Sequence, residues 1–194
     1  MDSVAFSANG QRLASAESNA NTRAGTLRVW NPATRQPIGP PIKQAGGSPG
    51  GMALSPNGKL LAAPDGNGTL RVWNPVTGQP IATSARADVN EVAFSPHGQL
   101  LASADGDGTV RLWNPATGRS IGAPLQADPH RVSAVAFSPN GQLLATADAD
   151  GTVRLWQVSL LEHPYAALCS DVGPPTHQEW AKYAPGEPQP KTCA

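Results

Sequence analysis

Net charge is absent from this chain: 14 basic and 14 acidic side chains cancel, and the basic ones are scattered along its length. Sequence-independent nucleic-acid binding needs clustered lysine and arginine to displace counterions, so that class is disfavoured. Long apolar runs are missing too. No stretch approaches the 18 residues a membrane-spanning helix requires, and Met1-Asp2-Ser3 leads directly into a strand-like pattern without an export signal. The expectation is a cytoplasmic location with no membrane partner. Cysteine is limited to Cys169 and Cys193, and with His163 and His177 these make no defensible zinc spacing. Phosphate-loop chemistry is missing, because Gly46-Gly47-Ser48-Pro49-Gly50-Gly51 has neither the lysine nor the following helix. Asp105-Gly106-Asp107-Gly108 and Asp148-Ala149-Asp150-Gly151 resemble the start of a calcium loop but lack the downstream glutamate, and hairpin turns explain both. Asn67-Gly68-Thr69 is the equivalent turn, although its letters spell a glycosylation site. Nothing pairs Cys169 with a histidine base. No catalytic residue, metal or cofactor is expected.

What is present is repetition. Four segments read SVAFSANG…GTLRVW, GMALSPNG…GTLRVW, EVAFSPHG…GTVRLW and AVAFSPNG…GTVRLW, ending at Trp30, Trp73, Trp113 and Trp156. Successive tryptophans are 43, 40 and 43 residues apart. A period near 40 marks stacked units, each needing a neighbour to bury its faces. The register is strict. Leu54, Phe94 and Phe137 each precede their tryptophan by 19 residues, whereas Phe6 precedes Trp30 by 24, leaving five extra residues within Glu17 to Ala24.

The third copy shows what one unit must be. Glu91 to Phe94 and Gln99 to Ser103 are short, β-capable runs joined by Ser95-Pro96-His97-Gly98. Proline second and glycine last suits a type I turn. Alternation in Thr109 to Trp113 puts Val110 and Leu112 on one face, with Thr109, Arg111 and Trp113 on the other. Asn114-Pro115-Ala116-Thr117-Gly118 is the next turn, and Ser120 to Leu125 supplies an outer strand. Four short antiparallel strands make one twisted sheet, and turn signals every eight to twelve residues exclude a long helix over residues 1–157. Four arginines (Arg28, Arg71, Arg111, Arg154) recur two residues before the tryptophans, which reads as a surface position fixed by the repeat.

On these motifs residues 1–157 resemble WD-repeat (WD40) β-propeller blades, which implies an all-β fold of four blades in an incomplete propeller. The Trp-Asp signature is altered to Trp-Asn at Asn31, Asn74 and Asn114 and to Trp-Gln at Gln157. The family's Gly-His pair is absent, the nearest histidine being His130 in Asp128-Pro129-His130-Arg131. Of the network that this histidine joins, the resemblance carries three roles onto Asp107, Ser103 and Trp113, and onto Asp150, Thr146 and Trp156. Trp30, Trp73, Trp113 and Trp156 are the structural residues.

Residues 158–194 form a tail with one or two short helices. Thr176 and Glu179 make a capping box that would start a helix at His177, ending before Pro185-Gly186. Cys169, Glu179-Trp180, Tyr183 and Thr192-Cys193 make this segment similar to tails that follow WD repeats in bacterial signalling proteins. Cys169 and Cys193 bracket the helix, so a disulfide could staple it, while free thiols are the ordinary state in a reducing compartment.

The resemblance implies a non-enzymatic scaffold that binds a protein or peptide through rim loops. Those loops are Glu17 to Ala24, Gln44 to Gly50, Ser84 to Asn90 and Ala127 to Arg131, and they put Asn19, Asn21, Arg23, Arg86, His130 and Arg131 forward as contact residues. The alternative is a regulatory or sensor domain of a larger bacterial signalling NTPase or kinase, of which this would be the C-terminal part. Four blades are few for such a ring. Blades upstream of Met1 or a head-to-tail homodimer would complete it.

Overall fold

A computed structural model describes residues 3–18, 24–44, 51–158, 176 and 178. The described residues form four antiparallel sheets whose strands follow chain order from one edge to the other. The first holds β1 (Ser3–Phe6), β2 (Leu13–Ser18), β3 (Gly25–Asn31) and β4 (Gln36–Gln44). The second holds β5 (Ala53–Leu54), β6 (Leu61–Pro64), β7 (Thr69–Trp73) and β8 (Pro80–Arg86). In the third are β9 (Val89–Phe94), β10 (Leu101–Asp105), β11 (Thr109–Trp113) and β12 (Ser120–Gln126). The fourth has three strands among the described residues: β13 (Val132–Phe137), β14 (Leu143–Asp148) and β15 (Val153–Gln157). Of the helix expected from His177 to Ala184 only Gln178 is among the described residues, and the cysteine pair Cys169 and Cys193 lies outside them.

The register repeats as the spacing predicts. Phe6, Leu13 and Trp30 share one rung across β1, β2 and β3. Leu54, Leu61 and Trp73 form the same rung in the second sheet, and Phe94, Leu101 and Trp113 in the third. Phe137, Leu144 and Trp156 form it in the fourth. An equal residue count between rungs puts equivalent side chains on equivalent faces, because a one-residue slip would turn each face over.

The turns joining first strand to second, and those joining third strand to fourth, are held by short polar side chains. Ser7, Ser55, Ser95 and Ser138 accept a backbone N–H from the glycine three residues on, at 2.8 to 2.9 Å. Their hydroxyls accept a second N–H from the residue five on, at 2.9 to 3.1 Å. In the second turn, Asn31, Asn74 and Asn114 accept two backbone N–H groups through Oδ1, the nearer at 2.9 Å in each. That turn needs a carbonyl-type acceptor rather than a negative charge, which explains how asparagine can stand where the WD signature has aspartate.

The core lies between sheets. One apolar cluster joins Ala14, Ala16, Leu27 and Val29 of the first sheet to Leu54, Leu61 and Trp73 of the second. A second joins Leu70 and Val72 to Val92, Leu101 and Trp113. The third joins Val110, Leu112 and Leu125 to Val135, Leu144 and Trp156. Each inner sheet is therefore buried on both faces, and alanines at Ala16, Ala62, Ala102 and Ala104 let the backbones approach closely.

Candidate interaction rim

Among the described residues, one end of the stacked sheets is built from two kinds of loop: the turns at 65–69, 105–109 and 148–152, which join a second strand to its third, and the crossovers at 86–89 and 126–132, which join one sheet to the next. They are bonded together through the backbone. The Gly68 carbonyl accepts N–H groups from Ala87 and Val89, each at 3.2 Å. The Gly108 carbonyl does the same for Ala127 and Asp128 at 3.0 Å. Gly106 donates to the Asp88 carbonyl at 2.8 Å, and Ala149 to that of Arg131 at 2.9 Å. Glycine is needed at these contacts. A Cβ on Gly108 would stand 1.9 Å from the Asp128 carbonyl oxygen, at a φ of +81°. Asp88 itself adopts a φ of +53°, a left-handed conformation that aspartate tolerates better than most residues.

Beneath these loops runs a ladder of ion pairs, one per sheet. Arg28 pairs with Glu17, Arg71 with Asp65 at 3.0 Å, Arg111 with Asp105, and Arg154 with Asp148. The recurring arginine is therefore not simply a surface position of the repeat. It neutralises a carboxylate that is buried in the second, third and fourth sheets. In the third and fourth sheets the other guanidinium nitrogen reaches a second acid, Asp107 at 2.8 Å and Asp150 at 3.1 Å.

The indole–hydroxyl part of the expected network forms, with Trp113 Nε1 donating to Ser103 Oγ at 2.9 Å and Trp156 to Thr146 at 3.3 Å. Trp30 reaches Ser15 in the same way at 2.9 Å, while Ala63 at the equivalent place in the second sheet has no hydroxyl. The aspartate differs from expectation. The buried carboxylates are Asp105 and Asp148, whereas Asp107 and Asp150 lie exposed in the turn, accepting from Thr109 and Thr152. The reason is periodicity: positions 105 and 148 end the second strand two residues beyond the hydroxyl and so share its inward face. Burial pushes the Asp105 carboxyl up to about 6, with Ser103 and Arg111 pulling it back only part of the way. Burial also opposes the charge on Asp107, but Arg111 and Thr109 outweigh it and hold that carboxyl below its ordinary range.

Of the proposed contact residues, His130 and Arg131 come together. Asp128 is buried, and its Oδ1 accepts the backbone N–H groups of His130 at 2.6 Å and Arg131 at 2.9 Å. Burial opposes the Asp128 charge, yet donors from Arg131, His130 and Asp150 keep its carboxyl below the usual range. This fixed turn presents the His130 side chain 81% exposed, with exposed Arg131 beside it. The backbone of Arg86 pairs with Thr69 at the end of β8, one crossover away. Asn19, Asn21 and Arg23 lie outside the described residues. Sequence reasoning did not single out Asp128, Asp88 or Glu91. Glu91, on the innermost strand β9, is raised by burial despite accepting from the Val135 backbone.

The WD40 family model (WD domain, G-beta repeat) matches residues 46–74, 78–114 and 123–157, which together span more than half the chain. The chain belongs to the WD40 family. The match at 78–114 runs from β8 to β11, so one WD40 sequence unit carries the outer strand of one blade and the three inner strands of the next. The first blade precedes these matches but repeats the WD40 rung at Phe6, Leu13 and Trp30. A comparison with curated proteins found no match. Among the described residues no group of three or more histidine, cysteine, aspartate or glutamate side chains is placed to hold a metal ion. No helix among them is long and apolar enough to cross a membrane.

Proposed function

We propose that this WD40 chain is a non-enzymatic scaffold whose blades form part of a β-propeller and whose crossover rim binds a protein or peptide segment. The observation that carries this reading is the turn at Asp128. A buried carboxylate is used to fix two backbone amides, and the outcome is a rigid display of His130 and Arg131 to solvent. Exposed Asp88, Asp107 and Asp150 lie on the same rim, so it offers both signs of charge to a polar segment. Pre-formed loops bind without the entropy loss of ordering, which favours affinity from few contacts. On the opposite rim, Asn57, Asn74 and Asn114 turn their side-chain oxygens to their own backbone.

Selection of peptides on the purified chain, followed by calorimetry, tests this. Selected peptides should lose at least about tenfold in affinity, ~1.4 kcal/mol, against a His130→Ala/Arg131→Ala variant. A Lys59→Ala/His97→Ala variant on the opposite rim should bind unchanged. The reverse pattern, or no enriched peptide, would refute the reading.

A further inference from the structure

Among the described residues three junctions between blades are complete, and two half-junctions, one on the first blade and one on the fourth, are exposed. At each complete junction, two apolar residues of the third strand face forward onto the next blade. They are Leu27 and Val29 in the first, Leu70 and Val72 in the second, and Val110 and Leu112 in the third, none more than 4% exposed. The same two positions in the fourth blade are Val153 and Leu155, at 69% and 63% exposure. The rearward faces show the converse. Leu54 and Val92 are nearly fully buried and Phe94 and Phe137 pack into their clusters, whereas Val4 and Phe6 of the first blade are 58% and 63% exposed.

The forward face of the fourth blade thus carries the side chains that, three times within this chain, bury against a rearward face. The rearward face of the first blade carries the matching set in the matching register, with Phe6 on the rung of Leu13 and Trp30. The intrachain junctions define the complement of each open face, and the described residues carry one of each. We infer that the two faces are occupied by a second copy of this chain, forward face to rearward face at both ends, closing a ring of eight blades. A head-to-tail contact of this kind forms a closed assembly when its rotation closes, and two copies related by a two-fold axis satisfy both open faces at once.

The full chain tests this by size-exclusion chromatography with light scattering over a wide concentration range. The expected result is one species of about 40 kDa, two chains of 20.0 kDa. Phe6→Glu and Leu155→Glu each put a charge on one open face without removing packing from within the chain, so far-ultraviolet dichroism should not change. Each variant alone should run as a monomer at concentrations where the parent is dimeric. An equimolar mixture should regain a dimer, because Phe6→Glu keeps an intact forward face and Leu155→Glu an intact rearward one. The double variant, charged on both faces, should stay monomeric alone and when mixed with either single variant. A parent that is monomeric throughout overturns the inference and leaves the open faces to further blades or another partner. A ladder of higher multiples overturns closure. A dimer that neither substitution disturbs, or a mixture that restores nothing, overturns the head-to-tail pairing.

Discussion

Removing one hydroxyl should distinguish a buried polar contact from an accessible one of the same length. Ser103 Oγ and Ser15 Oγ each accept an indole N–H at 2.9 Å, from Trp113 and Trp30 respectively. The surroundings differ. Ser103 and Trp113 are buried between the second and third blades, while Ser15 and Trp30 lie half-buried on the open face of the first. Ser103→Ala strands a buried donor, and a stranded buried group costs about 1–3 kcal/mol. It also removes a group that helps hold the Asp105 carboxylate. Ser15→Ala leaves an indole that water can reach, so about 0.5 kcal/mol or less is expected. For a chain of this size about 2 kcal/mol corresponds to a fall in Tm of roughly 4–8 °C, against ~2 °C or less for the first blade. Both substitutions should be made in the Phe6→Glu background, which keeps the first blade's face open whatever the assembly state. Thermal and urea unfolding followed by dichroism give the comparison. Equal losses, or a larger loss from Ser15→Ala, would refute the burial argument.

Two further substitutions address the rim. Gly108→Ala combines a φ of +81° with a Cβ only 1.9 Å from the Asp128 carbonyl oxygen; it should destabilise by at least about 2 kcal/mol in urea unfolding, whereas Gly10→Ala, with the same kind of φ and open space, should lose only ~1 kcal/mol. Asp105 binds its proton more tightly folded than unfolded, because its folded pKa of about 6 exceeds the unfolded 3.8. Its contribution is therefore fully present below about pH 4 and lost as pH rises towards about 6. Asp105→Asn should remove that downward slope of stability between pH 4 and 6, and an unchanged slope would count against the assignment. Asp107, Asp128 and Asp150 are shifted the other way, so their contribution is present above the ordinary aspartate range and fails only as pH falls below it.

The blade register was legible because it rests on counting. A constant 19 residues from Leu54, Phe94 or Phe137 to a tryptophan admits one antiparallel pairing that keeps the apolar faces aligned. The arginine–carboxylate ladder was equally present in the letters. Glu17, Asp65, Asp105 and Asp148 each follow by two the residue that pairs with the arginine, and strand alternation puts that acid on the arginine's face. The Asp-Gly turn masks it, since Asp107 and Asp150 stand nearer the glycine but are exposed. The rim was legible only as a set of loops. That Asp128 is buried and organises His130 and Arg131 depends on backbone bonds between a turn and a crossover some 20 residues apart, Gly108 with Asp128, and no local pattern encodes them.

The staggered relation between sequence unit and blade has an evolutionary consequence. Because every forward face matches every rearward face, an in-frame duplication of residues 91–133 would add a blade that fits at both of its junctions. Deletion of the same segment would bring together two faces already suited to each other. The number of blades can therefore drift by recombination between copies without any compensating point mutation, while the chemistry displayed at the two terminal faces is inherited intact.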